Sequence, residues 1–174
     1  MPEPEIRRLD EAQARRHLDG LAAVLLDCVD GGASVGYMAP FTLAEARLAF
    51  EAFIADVARG RRVLLAAFLA GRVVGTVQVV FAAPPNQPHR GDIAKLLVHR
   101  GARRHGVGQR LMERAEAEAL AAGRTLLVLD TASPEAERLY DRLGWTRLGR
   151  VPGYALYPDG RPCATTFYWK ALAP

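Results

Sequence analysis

Apolar residues recur with a helical period across residues 10–29, where Leu18, Leu21, Leu25, Leu26 and Val29 share one face. Asp30-Gly31-Gly32 ends that run, and a short, small and aromatic segment follows at 33–41 with Pro40 near its end. Thr42 then opens a second helix. Glu45, three residues on, completes a capping box, and Gly60 marks the stop. After Gly60 the runs become shorter and β-branched. Residues 62–69 and 72–81 read as strands joined by Ala70-Gly71, a hairpin signal. A proline-rich loop at 83–91 leads into a strand at 92–99, a helix at 106–121 ended by Gly123, and a buried strand at 125–131. Ser133 caps a short helix with Pro134 in its first turn, and strands at 145–151 and 165–172 close the pattern. There is no repeat and no low-complexity segment, so residues 1–174 read as one mixed α/β domain.

Composition narrows the class. At 174 residues and 50% hydrophobic, the chain can bury a substantial core. No run of eighteen apolar residues predicts a membrane span, and the polar, acidic start MPEPEIRRLDE lacks a signal-peptide core. Cys28 and Cys163 stand in unrelated contexts, without CxxC, HExxH or clustered histidines, so no metal and a reducing cytoplasm are expected. The net charge of +4 comes from 23 basic residues, all but Lys95 and Lys170 arginine, scattered without a basic tail or an aromatic-interleaved motif. That dispersion argues against nucleic acid as a partner, while a mildly basic surface favours a phosphate-bearing ligand.

The most specific chemistry lies in LLVHRGARRHGVGQRL, Leu96 to Leu111: an apolar run, a basic turn with glycines, then an amphipathic helix. Glycines let backbone N–H groups converge on an anion, the helix presents its positive end, and Arg103 and Arg104 add charge. A P-loop would require Gly-Lys-Ser/Thr, and a dinucleotide fingerprint a third glycine at 111, which is Leu. What remains, Arg103-x-x-Gly106-x-Gly108, resembles the acetyl-CoA signature of the GNAT-type N-acetyltransferases. Two glycines alone often serve turn geometry only. A second element, Ala136-Glu-Arg-Leu139-Tyr140-Asp-Arg-Leu143-Gly144-Trp145, is similar to that family's downstream signature, in the right order and with a strand between. The closing segments Leu148-Gly-Arg-Val-Pro152-Gly153-Tyr154, Pro158-Asp159-Gly160 and Thr166-Phe-Tyr168-Trp-Lys170, with Ala94-Lys95-Leu96, Leu129-Asp130-Thr131 and Gly31-Gly32-Ala33-Ser34-Val35, resemble the tabtoxin-resistance acetyltransferases.

The resemblance implies an α+β fold with a mixed sheet of six to seven strands, flanking helices and a splayed cofactor-binding strand pair. It implies acetyl-CoA as donor, held by Leu96, Leu97 and Val98 and by the turn of Arg103, Arg104, His105, Gly106, Val107, Gly108 and Gln109. Arg104 stands where the family commonly has glycine, and Arg100 where proline is frequent. No asparagine follows the fifth strand, so Thr131 or Ser133 would take over its contact with the pantetheine arm.

Acetyl transfer to an amine needs a proton acceptor, a stabilised carbonyl oxygen and a donor for the departing thiolate. A phenol suits the last task, and the family places the tyrosine equivalent to Tyr140 at the cofactor sulfur. A backbone N–H of Leu96–Val98 would serve the oxygen. The base is Asp92 or Asp130. Strict alternation puts Asp92, Ala94, Leu96 and Val98 on one face, within reach of an acceptor; otherwise Asp92 turns to solvent. Asp130 ends a buried strand where α/β sheets place sites, unless it caps the next helix or pairs with Arg138. His17, His99 and His105 read as surface or structural groups, Cys163 lacks the constellation of a nucleophile, and Lys95 reads as a salt-bridging strand residue. By resemblance the segment 31–41 overhangs the acceptor, with Tyr37 and Phe41 as aromatic walls and Asp92 and Asp130 for an ammonium. The resulting expectation is an N-acetyltransferase, monomer or homodimer, acting directly on the primary amine of a small molecule such as an amino-acid-like toxin or antibiotic. The alternatives are a non-catalytic acyl-CoA sensor and a protein-amine acetyltransferase.

Overall fold

The computed structural model describes residues 3–173. In chain order these form β1 (Glu5–Leu9), α1 (Glu11–Arg16), α2 (Leu18–Asp30), α3 (Leu43–Ala58), β2 (Arg62–Leu69), β3 (Arg72–Phe81) and β4 (Arg90–Val98). A short 3-10 turn at Arg100–Ala102 follows, then α4 (Val107–Ala121), β5 (Leu126–Thr131), α5 (Pro134–Arg142), β6 (Thr146–Leu156) and β7 (Pro162–Ala171). Local chemistry sets these boundaries. Thr42 accepts from the Glu45 N–H while Glu45 returns to the Thr42 N–H, as the capping box requires. Ser133 accepts from the Ala136 N–H ahead of Pro134. Ala70 and Gly71 take φ of 48° and 76°, the left-handed pair that a two-residue hairpin demands.

β4 begins at Arg90, β6 runs on to Leu156 and β7 begins at Pro162, each beyond the bounds that the sequence pattern predicts, and two departures are larger. Residues 10–29 are not one helix: α1 ends at Arg16, and His17, at φ −102° and ψ 11°, breaks the run before α2. His17 is half-buried rather than exposed, its ring edge-on to Phe68 at 4.8 Å. The chain turns there so that α1 meets α3 while α2 lies over β3 and β4. Strand β1 went unread because EIRRL offers only Ile6 and Leu9 as apolar signals. It pairs antiparallel with β2 along its whole length.

All seven strands join in one sheet of order β1-β2-β3-β4-β5-β7-β6, in which β4 and β5 are the parallel pair. Alternation divides the core between the faces. Leu65, Val77, Val79, Ile93 and Leu127 pack against Leu111 and Met112 of α4. Leu64, Ala66, Phe68 and Leu97 face α2 and α3 through Leu21, Leu25, Phe50 and Ile54. Helices α1–α3 cover the β1–β4 half of their face, while Phe167 and Trp169 of β7 remain partly open on the other half. The outer strand β6 is exposed along nearly its whole length. Pro152, Arg147, Arg150 and two breaks in its register with β7 blunt that edge against pairing with other chains.

The approach of α4 to the sheet depends on Gly75 of β3. A Cβ there would lie 3.0 Å from the Leu97 carbonyl oxygen, 3.0 Å from Val107 Cγ1 and 3.1 Å from Leu111 Cδ1. The backbone carbonyl cannot yield without shifting β4. Gly75→Ala is therefore expected to lower unfolding free energy by about 1–3 kcal/mol, read as a lower urea midpoint at unchanged slope. A wild-type midpoint would show that the close approach does not constrain the fold.

Candidate active site

The centre of the molecule is a place where two adjacent strands part. β4 and β5 pair only through Arg90–Leu126, Gly91–Leu127 and Asp92–Val128. Beyond Asp92 they diverge: β5 continues against β7 as far as Thr131, and β4 against β3 as far as Val98. The gap exposes a bare edge of β4. Within it, β4 carries a bulge: Gln78 opposes Ala94 but Thr76 opposes Leu97, so two residues, Lys95 and Leu96, face Val77 alone. Lys95 adopts φ 52° to make it. This overturns the strict alternation expected along β4. Asp92 and Ala94 lie on the α2–α3 face, as does Leu97, whereas Leu96 and Val98 pack against the α4 side.

On the α4 side the glycine turn is built as an anion cradle. Gly106 is the N-cap of α4 with φ 72°, and no side chain caps the first turn. The helix follows for fifteen residues without an acidic residue in that turn, so its positive end stays free. Arg103, Arg104 and His105 surround it and are exposed. Arg104 takes φ 66°, doing as an arginine what glycine does most easily. Gly108 has a second duty: a Cβ there would lie 3.3 Å from Leu139 Cδ2, so this glycine lets α5 sit close to α4. The turn is braced from α2. Asp27 accepts from the Arg100 backbone N–H at 2.8 Å and from Arg100 Nε at 3.0 Å, giving the stiffness that proline supplies elsewhere. Burial pushes the Asp27 pKa up, but these bonds and the nearby His99 outweigh it and hold the carboxyl below its ordinary range. Arg103 Nε donates to the Val98 carbonyl at 3.2 Å. A pyrophosphate group fits this cradle of uncapped N–H groups and cations.

Tyr140 is 4% exposed and packs its ring 5.6 Å from Tyr168 and 6.0 Å from Trp145. Burial raises its pKa strongly, and the Asp130 carboxylate and Tyr168 raise it further. It is therefore a neutral phenol throughout the physiological range. Trp145 and α5 are pinned to α4 through Glu116, which accepts from Trp145 Nε1 at 2.8 Å and from Lys170 Nζ at 2.7 Å.

The opposite face of the sheet, toward α2 and α3, carries the carboxylates. Asp130 opens to the cleft, yet protein hems it in, and that desolvation raises its pKa; Lys95 counters the rise and Asp92 adds to it. Asp130 neither caps α5, a role held by Ser133, nor pairs with Arg138, which meets Glu135 at 3.6 Å. Asp92 is not turned to solvent alone: Arg90 Nη1 reaches both its oxygens, at 2.8 and 2.9 Å. Segment 31–41 crosses above the sheet. Ser34 Oγ donates to the Leu156 carbonyl at 2.7 Å, and the Ala39 N–H to the Pro158 carbonyl at 2.9 Å, so the segment is fastened to the β6–β7 hairpin. Tyr37 and Phe41 stack at 4.7 Å beneath it.

The turn residues, Leu96–Val98, Tyr140 and Asp130 thus converge on the parting strands from two faces. Ser133 is committed to its helix cap, and Thr131 Oγ1 accepts from the Ser133 N–H at 3.1 Å, leaving its hydroxyl proton free. Lys95 forms no salt bridge among the described residues; its Nζ donates to the Val35 carbonyl at 2.8 Å. Arg62, at the head of β2, reaches Gln78 and lies 3.2 Å from Asp56. Its only signal was a basic residue at the head of an apolar strand. Cys163 is buried against Ser34 Oγ at 3.3 Å, and His99 accepts from the Gly101 N–H within the turn.

Comparison with known proteins agrees with this geometry. The Acetyltransferase (GNAT) family matches residues 33–145, well over half of the chain. Among solved structures, an N-acetyltransferase from Staphylococcus aureus Mu50 superposes with a TM-score of 0.80 at 23% identity, over 99% of this chain and 100% of that one. YncA of Salmonella typhimurium, a putative acetyltransferase solved with acetyl-CoA, gives 0.79 at 19% identity over 99% and 96%. A phosphinothricin acetyltransferase from Sinorhizobium meliloti in complex with acetyl-CoA gives 0.81 at 19% identity over 99% and 90%. At these identities the likeness is one of fold, whereas the family match covers both signature elements, and the chain belongs to the GNAT family of acetyltransferases.

Proposed function

We propose that this protein is a cytoplasmic, acetyl-CoA-dependent N-acetyltransferase that acetylates the primary amine of a small molecule, such as an amino-acid-like toxin or antibiotic. The observation that carries the reading is the parting of β4 and β5, with a neutral phenol, Tyr140, coupled across it to Asp130, a carboxylate without a salt bridge among the described residues. A sensor that only bound acyl-CoA would need the turn but neither of these groups. Segment 31–41, fastened over the sheet to the β6–β7 hairpin, favours a compact acceptor over a protein terminus. Cys28 and Cys163 are both free and buried, in keeping with a reducing compartment.

Acetyl-CoA, when bound, supplies an activated thioester carbonyl. Arg103, Arg104, His105, Gly106, Val107, Gly108 and Gln109 hold its pyrophosphate, while the unpaired edge Leu96–Val98 and Thr131 meet the pantetheine arm. A backbone N–H of that edge stabilises the carbonyl oxygen. Asp130 orients the amine and accepts its proton as the nitrogen–carbon bond forms, its raised pKa making it a better base than an ordinary aspartate. Asp92, held by Arg90, adds negative potential to the same site. Tyr140 donates to the sulfur as the carbon–sulfur bond breaks. A phenol this reluctant to ionise gives up its proton only as another replaces it, so the proton that Asp130 takes from the amine restores Tyr140, and the amine and thioester leave as amide and CoA thiol.

Three outcomes follow. Gly108→Asp places negative charge at the helix start and should weaken CoA binding more than tenfold; Gly108→Ala tests the Leu139 contact without the charge and should cost less. Calorimetry showing equal affinities for the folded wild-type and Gly108→Asp proteins would reassign the turn. Tyr140→Phe removes only the hydroxyl, so melting temperature should hold while kcat falls by roughly ten- to a thousandfold. Unchanged turnover across the pH range would remove Tyr140 from the chemistry. The raised pKa of Asp130 means that ionisation is harder in the folded state, so this group subtracts stability above its folded pKa and not below the unfolded one. Asp130→Asn should therefore leave or raise the melting temperature at pH 7 while lowering kcat/KM for the amine, with CoA affinity intact. A stability loss with unaltered kinetics would make Asp130 structural.

A further inference from the structure

Charge accounting within the acceptor cleft singles out one residue. Arg62 is matched by Asp56 at 3.2 Å, and Asp92 by Arg90 at 2.8 Å. Lys95 and Asp130, opposite in sign and electrostatically coupled, are left with no salt-bridge partner among the described residues. Lys95 is held in place with unusual effort. It occupies the bulge of β4 at φ 52°, a left-handed conformation that is strained for lysine and that glycine or asparagine would take more easily. Strain of this kind persists where the surroundings impose it, and it clusters at functional positions. Its ammonium lies under segment 31–41, bonded to the Val35 carbonyl and 5.5 Å from the centre of the Tyr37 ring. Of three N–H donors, that carbonyl takes one. A carboxylate meeting the Lys95 ammonium would take donors that the Val35 carbonyl leaves open, with Asp130, coupled to Lys95, for the positive end of the same molecule.

We propose that Lys95 is a specificity-determining residue of the acceptor site: its ammonium binds a carboxylate on the acceptor while Asp130 holds the amine, so that amino acids are preferred over simple amines. This rests on the acetyl-transfer reading above. Burial and Arg62 lower the pKa of Lys95, and Asp130 opposes them; an acceptor carboxylate would favour the charged form further.

The test compares amino acids with their own α-amides as acceptors, in wild type and in two variants. Lys95→Met keeps the length of the side chain without its charge, and Lys95→Gly relieves the left-handed strain, so that at least one variant should fold. The amide has a less basic amine, so the wild-type preference alone is ambiguous; its change on substitution is not. The ratio of kcat/KM for acid over amide should fall by roughly tenfold or more in each folded variant, chiefly through KM of the acid, with CoA affinity unchanged. Titration with the N-acetylated acid and N-acetylated amide, which needs no turnover, should show the same loss for the acid alone. Lys95→Arg should retain most of the preference. Unaltered acid-to-amide ratios in Lys95→Met or Lys95→Gly would overturn the role of Lys95 while leaving the transferase reading intact. A wild-type protein that acetylates no acid and no amide would overturn both.

Discussion

Everything at this site follows from the loss of pairing between β4 and β5 beyond Asp92 and Val128. Backbone donors and acceptors left bare in a protein interior carry a substantial penalty, so a sheet does not open without compensation. Here β5 keeps its other partner, β7, to Thr131, and β4 keeps β3 to Val98. Each strand thus loses one edge only. That edge of β4 is what an extended, amide-bearing ligand can use, since a strand edge is a ready template for pairing. The glycine turn then continues directly from β4, so the same strand that offers amides also leads to the uncapped start of α4.

The opening also lets the two faces of the sheet communicate. Tyr140 belongs to the α4–α5 layer, and Asp130 and Lys95 look out on the α2–α3 side, yet Asp130 raises the pKa of Tyr140. In a continuous sheet these groups would be screened by a full layer of backbone and side chains. The shifts of Tyr140, Asp130 and Lys95 all run toward the neutral form, because each is partly desolvated. Groups held toward the neutral form in this way are costly to keep folded, and perturbed groups of this kind cluster at reactive centres. The surrounding fold meets the cost with well-packed layers on both faces of β2 and β3.

Features written in local chemistry were legible from the sequence. The Thr42–Glu45 box, the Ala70-Gly71 hairpin, the Ser133-Pro134 start and the Gly106–Gly108 turn each require particular residue types at fixed spacing. The mixed sheet and its splayed strand pair followed from the family resemblance. What escaped depends on tertiary context. Strand β1 has too few apolar positions to be seen without β2 beside it. The break at His17 interrupts no hydrophobic period, since Leu18 and Leu21 resume it at once. Most consequential was the bulge at Lys95. Period-two reasoning has no means of adding one residue, so it carried Asp92, Ala94, Leu96 and Val98 to one face. The structure divides them, Asp92 toward the α2–α3 face and Leu96 toward the α4 face, and makes of a supposed salt-bridging lysine the strained residue at the division.

The two loops that bracket the site share a single anchor. Asp27, in the last turn of α2, binds both the backbone N–H and the Nε of Arg100 at the head of the phosphate turn. Segment 31–41 leaves from the end of that same helix. Gly31 sits at the junction, where a Cβ would lie 3.0 Å from Arg100 Cδ and 3.2 Å from the Asp27 carbonyl oxygen. The junction is therefore tight, and a glycine is what makes room for it. Arg103 extends the connection by bonding Val98 O, which Cys28 of α2 approaches with its thiol at 3.6 Å. The end of α2, the end of β4 and the start of the anion turn are thus one packed unit. A shift of the turn on meeting an anion must be taken up either by that unit as a whole or by the segment beyond Gly31, and that segment is fixed at its far side by Leu156 and Pro158. The position of segment 31–41 over the sheet is in this way set by the same contacts that hold the glycine turn at the start of α4.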